Sequence, residues 1–338
     1  MTNQLAALVH SDAAPDWQSL LSDLISDPEE LLELLELDAR HCPYSLDALK
    51  QFPLKAPRPY VARIQKGNWR DPLLRQIWPA PDEDAEIEGF VADPLGEEGY
   101  NPVPGLLHKY QGRVLLTAAP HCAIHCRYCF RRHFDYHANS PSRSQWQAAF
   151  DYIAGDDSIE EVILSGGDPL ALSDRHFSWL MERLADIPQL TTVRVHTRLP
   201  IVIPERITQD LLHCLNDSRL RVVMVVHCNH SQELDSAVGD ALRTLGDYGV
   251  TMLNQSVILR DVNDSSAALI ELSKSLFQLG VLPYYLHLPD RVAGTEHFDV
   301  SQHQAEALIK ALHAALPGYL VPRLVREIPG EQGKTRIA

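Results

Sequence analysis

From about Arg113 onward, short apolar runs alternate with amphipathic segments. Each run is rich in β-branched or aromatic residues and has the length of a buried strand. The six predicted strands are residues 114–118, 162–165, 193–197, 222–226, 252–258 and 283–287. The predicted helices are residues 144–154, 174–185, 204–215, 233–248, 265–279 and 301–315. This alternation predicts an α/β fold with a parallel sheet and right-handed crossovers.

The number of repeats limits the architecture without deciding it. Six strand–helix repeats fit either a doubly wound sheet or a partial barrel. A closed barrel of eight repeats needs more chain than is present here. The pattern alone therefore leaves these two arrangements open.

Residues 1–100 have a different pattern, which is mostly helical and polar. Apolar residues recur at helical spacing from Trp17 to Ile25, and Asp27-Pro28 is a typical start of a second helix. A further helix is predicted at 44–51, and the stretch from 53 to 104 is rich in Pro, Asp and Glu. We therefore expect a helical N-terminal extension, 1–100, that caps a main domain, 101–338.

Composition excludes several classes of protein. The chain has 338 residues, of which 45% are hydrophobic, and a net charge of −15. So acidic a protein lacks the basic surface expected for nucleic-acid or membrane binding. No signal peptide is recognisable between Met1 and Trp17, and no apolar stretch approaches the length of a membrane helix. A cytoplasmic location is expected.

Three of the six cysteines lie within eight residues, as Cys122-x3-Cys126-x2-Cys129. Scattered thiols elsewhere in the chain, at Cys42, Cys214 and Cys228, do not form a disulfide framework. A structural zinc site is one interpretation of the triplet, completed by a neighbouring histidine, His121 or His125. The other is a four-iron cluster with three thiolates, which leaves one iron open to another ligand.

Polar residues of catalytic type follow the predicted strands one after another. In parallel α/β proteins this edge is where ligands bind, although loops are polar in any case. These residues include Asp168, His196, His227, Gln255, His287 and Asp290. A site at this edge of the sheet is therefore predicted.

Two further features are weak alone. Lys109 and Arg113, four residues apart before the first predicted strand, form either a phosphate grip or a solvated basic pair. Lys334 lies near the C-terminus, where chains are often disordered, but Gly330 and Gly333 before it permit a close approach of the backbone. A lysine held near a phosphate grip is what a pyridoxal phosphate (PLP) Schiff base requires.

The spacing of the triplet, with Tyr128 before the last cysteine, resembles the radical S-adenosylmethionine (SAM) enzymes. From about Asp71 to Lys334 the chain resembles one group of them, the lysine 2,3-aminomutase family, which also uses PLP. The resemblance rests on several motifs in one order, namely Asp93-Pro94-Leu95-Gly96-Glu97, Val103-Pro104-Gly105-Leu106, the triplet through Arg131-Arg132, Ser165-Gly166-Gly167-Asp168, Asn254-Gln255-Ser256 and the closing Pro-Gly-x-x-Gly-Lys. It implies an open, partial (β/α)6 barrel with a mostly helical N-terminal extension.

The resemblance also implies roles for individual residues. Cys122, Cys126 and Cys129 would hold a [4Fe-4S] cluster whose open iron binds SAM, which is cleaved to a 5′-deoxyadenosyl radical. The implied SAM site is Gly166, Gly167, Asp168, His227 and Gln255, with Asp168 as a hydrogen-bond acceptor for the SAM amino group. The implied PLP site is Lys334 for the covalent bond, with Lys109, Tyr110 and Arg113 for the phosphate.

The implied substrate is L-lysine, whose amino group moves from C2 to C3 to give (R)-β-lysine. Arg131 would bind its carboxylate, and Asp290 and Glu327 its distal ammonium. The family usually has Asp where this chain has Glu327. The chain resembles the short bacterial form that supplies β-lysine for modification of elongation factor P, which implies a functional link to that factor and its lysyl-ligase. Two alternatives remain at this stage, namely a radical SAM methyltransferase or maturase without PLP, and a zinc-dependent binding module.

Overall fold

The computed structural model describes residues 16–41, 43–134, 143–331 and 333–338. Three parts of the sequence discussed above lie outside these residues. They are most of the segment in which a signal peptide was sought, Cys42, and Gln332 of the closing motif. In the N-terminal region the structure has short helices and one two-stranded antiparallel sheet. These elements are α1 Trp17–Ser22, β1 Leu24–Ile25, α2 Pro28–Leu34, α3 Leu46–Gln51, β2 Ala56–Pro57, α4 Arg58–Val61 and α5 Pro72–Arg75.

The N-terminal extension packs directly on the main sheet. Trp17, Tyr60 and Ile77 are buried in the same hydrophobic cluster as Val162 and Val193 of the sheet. The predicted first helix ends at Ser22, earlier than its apolar spacing suggested, because Leu24–Ile25 pairs with Ala56–Pro57. The two predicted regions, 1–100 and 101–338, therefore share one core where the structure describes them.

Within the described residues, the main sheet contains nine strands. They are β3 Leu106–Tyr110, β4 Arg113–Ala119, β5 Glu161–Gly166, β6 Thr192–Thr197, β7 Arg221–His227, β8 Thr251–Val257, β9 Leu282–His287, β10 Arg323–Arg326 and β11 Thr335–Arg336. The helices that accompany them are α6 Arg143–Ala154, α7 Asp174–Ala185, α8 Leu199–Val202, α9 Gln209–Asn216, α10 Ser236–Asp247, α11 Ser266–Gln278 and α12 Gln302–Ala315. All six predicted strands are confirmed. The predicted helices 204–215 and 233–248 are shorter at their starts, where 3-10 turns precede α9 and α10.

The strands lie side by side in chain order, from β3 at one edge to β11 at the other. β4 to β10 are parallel, and an antiparallel hairpin is added at each edge, by β3 and by β11. This order never reverses, so the sheet is not doubly wound. The barrel interpretation is confirmed, with three strands that the apolar pattern did not predict.

Side chains from the two ends of the sheet show that it curves back on itself. Glu327, directly after β10, accepts a hydrogen bond from the hydroxyl of Tyr110 in β3 at 2.7 Å. Seven strand spacings of about 4.8 Å would hold β10 and β3 more than 30 Å apart in a flat sheet. The sheet therefore forms an open, partial barrel whose two edges meet through side chains.

The strands present different faces to the helices and to the interior of the barrel. In β6, Val193 and Val195 are buried, whereas Arg194 and His196 alternate with them and are less buried. The valines belong to the cluster that includes helix residues such as Phe177 and Leu211. The polar face therefore lines the interior, which we call the lumen. None of the helices in the described part of the chain is long and apolar enough to cross a membrane.

Candidate active site

The cysteine triplet lies in a loop, residues 120–134, that follows β4, and we call this segment the Cys loop. Backbone bonds fix it to the N-terminal extension, from the amide of His125 to the carbonyl of Lys55 at 2.9 Å and from Arg127 to Gln76 at 2.8 Å. A tight turn joins the cysteines, where the Cys129 amide donates to the Cys126 carbonyl at 2.9 Å. The Cys loop is therefore held in place by segments of the N-terminal extension, which contain none of the predicted cluster ligands.

A buried ion cluster strengthens this attachment. Arg127 is fully buried and its Nε donates to Glu83 at 2.8 Å, while Arg132 donates to the other oxygen of Glu83 at 2.6 Å. Buried charges persist only when they are paired and hydrogen-bonded. The N-terminal extension thus supplies the carboxylate that two arginines of the Cys loop require.

Gly166, which ends β5, and Gly167, which follows it, are sterically required. A Cβ atom on Gly167 would lie 2.3 Å from the carbonyl oxygen of His121, and one on Gly166 would lie 2.7 Å from Thr117. Gly166 also has a positive φ of 105°, which side chains disfavour. The glycine pair therefore lets the Cys loop pass directly over the end of β5, as expected for a cradle at a ligand site.

Asp168 lies at this edge, but its carboxylate is occupied. Its oxygens accept hydrogen bonds from the Thr197 hydroxyl at 2.5 Å and from the amides of Leu170, Arg198 and Leu199 at 3.0, 2.7 and 3.0 Å. Burial raises the pKa of Asp168 in spite of these bonds. Four protein donors thus engage the carboxylate and tie β5 to β6, and its expected role as an acceptor for the SAM amino group stays a prediction.

The Cys loop reaches the predicted SAM residues through Tyr128. The Tyr128 hydroxyl lies 3.1 Å from Nε2 of His227, and the two rings stack with their centroids 5.7 Å apart. His227 in turn pairs with Gln255 across β7 and β8. Burial and the charge of Arg198 lower the pKa of His227 to about 3, so its imidazole is neutral. These residues form one wall of the lumen.

The predicted PLP residues meet around the carboxylate of Glu327. Its carboxylate accepts hydrogen bonds from Lys334 at 2.7 Å, Lys109 at 3.2 Å and Tyr110 at 2.7 Å. Arg113 adds a further cation, stacked 4.7 Å from the centre of the Tyr110 ring. Burial alone would raise the pKa of Glu327, but Lys334 and the other donors lower it to about 2.

Two imidazoles that the sequence placed at strand ends, without assigning them a role, lie between these groups. Nε2 of His196 and Nε2 of His287 are buried and have no hydrogen-bond partner in the structure. Burial, with a contribution from Lys334, lowers the pKa of both well below its ordinary value. Nζ of Lys334 lies 6.0 Å from the centre of the Tyr285 ring, and Tyr285 pairs with Gln255 across β9 and β8, so Lys334 faces the same lumen as the predicted SAM residues.

The remaining predicted substrate residues lie close to the carboxyl ends of β5 and β9. Arg131 is largely buried, and its guanidinium lies 3.4 Å from the hydroxyl of Ser165 at the end of β5. Asp290 is half-buried, three residues beyond the end of β9. Glu327, which was predicted to bind the distal ammonium together with Asp290, is in this state engaged by Lys334, Lys109 and Tyr110.

The donor set of the Cys loop fits an iron–sulfur cluster. Burial raises the pKa of Cys129 to about 11 and that of Cys122 well above its ordinary value, so thiolates there need a metal to stabilise their charge. In the part of the chain that the structure describes, no three His, Cys, Asp or Glu side chains lie close enough to share one metal ion. A four-iron cluster does not require this, since each thiolate binds its own iron.

The group around Glu327 fits an anionic cofactor with a reactive aldehyde. Three cations, Lys109, Arg113 and Lys334, and one phenol surround a single carboxylate there. Positive charge in excess of one carboxylate favours a phosphate. The unpaired nitrogens of His196 and His287 offer further polar contacts, because buried polar atoms normally have partners.

Comparison with known proteins agrees with this chemistry. Residues 116–220 match the radical SAM superfamily. The chain is 48% identical to the L-lysine 2,3-aminomutase of Haemophilus influenzae over 96% of both chains. It is 47% identical to the L-lysine 2,3-aminomutase of Escherichia coli, over 97% of this chain and 96% of that one. Identity to the L-lysine 2,3-aminomutase of Clostridium subterminale is 33%, over 95% of this chain and 77% of that protein.

Proposed function

The chain belongs to the L-lysine 2,3-aminomutase family of the radical SAM superfamily, and we propose that it isomerises (S)-α-lysine to (R)-β-lysine. The observation that carries the proposal is that Lys334 and the Cys loop border one lumen. Nζ of Lys334 lies 6.0 Å from the centre of the Tyr285 ring in β9, and Tyr285 pairs with Gln255 of β8. Gln255 pairs with His227 of β7, which is hydrogen-bonded to Tyr128 of the Cys loop. An isomerase of this kind requires the radical source and the amine carrier to share one enclosed space.

When bound, the [4Fe-4S] cluster and SAM supply a 5′-deoxyadenosyl radical, and PLP supplies an aldehyde and a π-system that stabilises an unpaired electron. Cys122, Cys126 and Cys129 would hold the cluster. Gly166, Gly167, His227 and Gln255 would form the SAM wall, while Asp168 holds that wall together. Lys334 would carry PLP, with Lys109, Tyr110 and Arg113 at its phosphate.

The substrate would be oriented by charge at its two ends. Arg131 suits the carboxylate of an α-amino acid, because a guanidinium can bind it through two hydrogen bonds. Glu327 and Asp290 suit the distal ammonium, which must be paired when it is desolvated. When Lys334 is engaged by the cofactor, its amine no longer pairs with Glu327, so that carboxylate becomes available to the substrate.

The protein's own contribution is orientation and exclusion of water. The neutral imidazoles of His196, His227 and His287 line the lumen without adding charge. Because this lining is uncharged, only Arg131 and the carboxylates recognise the charged ends of lysine.

The test is turnover by anaerobically reconstituted protein with SAM, PLP, a reductant and lysine, analysed by chiral chromatography. We expect (R)-β-lysine from wild type and from Lys310→Ala, whose lysine is exposed on α12, and none from Lys334→Ala. Glutamate or arginine turning over in preference to lysine would refute the substrate assignment. Turnover that persists in Lys334→Ala would refute the PLP assignment.

We further propose that the β-lysine serves modification of elongation factor P by its lysyl-ligase, and that the enzyme works in the cytoplasm. The first rests on the resemblance to the short bacterial members of the family. The second is supported by the reducing environment that free cluster thiols need. Free lysine and lysine attached to elongation factor P, offered separately, distinguish a supplier of β-lysine from an enzyme that acts on the modified factor.

A further inference from the structure

Arg198, directly after β6, contacts one of the three cysteines. Its Nη1 lies 2.6 Å from Sγ of Cys126, and its Nη2 donates to Gln76 at 2.8 Å and to Glu233 at 2.9 Å. The residue is only 6% exposed. A guanidinium is permanently charged, so this contact places a fixed positive charge on a predicted cluster ligand.

The guanidinium is fixed from several sides. Glu233 is fully buried and also accepts hydrogen bonds from the amides of Asn229 at 2.9 Å and His230 at 3.1 Å. The Asn229 side chain donates to the Tyr128 hydroxyl at 2.7 Å, and the Arg198 guanidinium lies 5.8 Å from the centre of the Tyr128 ring. Arg198 therefore cannot turn away from Cys126 without breaking a buried network.

We propose that Arg198 is a positioning residue that tunes the reduction potential of the cluster through its N–H···S bond to Cys126. The inference rests on the proposed function only in that the triplet binds a [4Fe-4S] cluster. One electron from an external reductant such as dithionite takes the cluster from the 2+ to the 1+ state. A hydrogen bond and a positive charge at the sulfur stabilise the more negative, reduced state, and so raise the potential.

The test is an anaerobic redox titration of the reconstituted protein, read by the EPR signal of the reduced cluster and without SAM or lysine. In Arg198→Gln we expect the ratio of reduced to oxidised cluster at a fixed potential to fall at least ten-fold, which is a shift of about 59 mV for one electron. Arg198→Lys keeps the charge but loses the forked geometry, so a smaller shift in the same direction is expected.

Arg206→Gln is the matched control. Arg206 is also fully buried, but it donates to the carbonyl of Leu170 at 2.6 Å and pairs with Asp174 at 2.7 Å. Its substitution should leave the potential unchanged. A potential that is unchanged in Arg198→Gln with full iron and sulfide content, or that shifts equally in Arg206→Gln, would overturn the proposal.

Loss of Arg198 leaves the buried Glu233 without its cation and could prevent cluster loading. The double variant Arg198→Gln/Glu233→Gln removes both charges, so a fall in the same direction but smaller than in Arg198→Gln is expected from it. A wild-type protein that binds no iron and sulfide would overturn this inference together with the proposed function. A wild type with a normal cluster and β-lysine production, but with no effect of Arg198, would overturn this inference alone.

Discussion

Glu327 and Lys334 form an ion pair, with 2.7 Å between Oε2 and Nζ, across the loop that joins the last two strands of the sheet. The same carboxylate binds Tyr110 of the first strand. One side chain thus positions the predicted PLP lysine and joins the two edges of the barrel. This position of Glu327 makes the tail of the chain part of the site.

The ion pair predicts a pH-dependent contribution to stability. Pairing lowers the pKa of Glu327 from its ordinary 4.5 to about 2, so its contribution is complete above about pH 5 and is lost as the pH falls toward 2. We expect Glu327→Gln to reduce the free energy of unfolding of the apoprotein by about 2 kcal/mol at neutral pH, and by much less near pH 2. Urea unfolding across this range, with the exposed Glu271→Gln as control, measures the difference. A difference that does not change with pH would contradict the assignment.

Lys334 is expected to be the site of covalent attachment of PLP. After reduction with borohydride, peptide mapping should find the PLP label on Lys334 and nowhere else, because this amine lies beside Lys109, Tyr110 and Arg113. Lys334→Ala should lose the visible absorbance of bound PLP, while Lys310→Ala keeps it. Labelling of Lys109 in the wild type would show that the two lysines have exchanged roles.

The glycine cradle predicts a steric effect. Gly167→Ala forces a Cβ to within 2.3 Å of the His121 carbonyl, so the Cys loop must move. We expect a loss of at least about 2 kcal/mol in stability and reduced iron content after reconstitution. Gly246→Ala, in α10 with no atom within 4 Å of the added methyl, should be neutral or slightly stabilising. Equal iron content in the two variants would show that the loop does not depend on Gly167.

The unpaired nitrogens of His196 and His287 predict that their substitution weakens ligand binding while it changes protein stability little. His196→Leu and His287→Leu each remove a buried nitrogen that has no partner, so the free energy of unfolding of the apoprotein should change by less than about 1 kcal/mol. Affinity for PLP or lysine, measured by absorbance titration, should fall at least ten-fold in one or both variants. The exposed His303→Leu serves as control. Unchanged affinities in both variants would mean that neither imidazole contacts a ligand.

The sequence predicted the parallel part of the sheet because its strands are continuous apolar runs. β5 and β7 each contain three consecutive buried apolar residues, 162–164 and 224–226, and these belong to the apolar runs that predicted the strands. β10 and β11 have four and two residues and carry charges at their ends, so periodicity could not detect them. Without them, the position of Glu327 beside Lys334 could not be derived from spacing.

Long-range side-chain contacts were the other part that sequence reasoning missed. The contact between Arg198 and Cys126 joins residues 72 positions apart, and no local motif predicts it. The saturation of Asp168 depends on Thr197 and on backbone amides that follow β6. Motifs predicted which residues form the site, but only the folded chain shows which of them already have partners.

The central claim is that the cluster with its SAM and the PLP-bearing Lys334 share one lumen. Transfer of hydrogen from lysine to SAM tests this claim most directly. Lysine deuterated at C3 is incubated anaerobically with the reconstituted protein, SAM, PLP and a reductant, and the 5′ carbon of the recovered SAM is analysed by mass spectrometry. We predict deuterium at that carbon, together with deuterated β-lysine. Cleavage of SAM without any deuterium in its adenosyl group, by protein with full cluster and PLP content, would contradict the account.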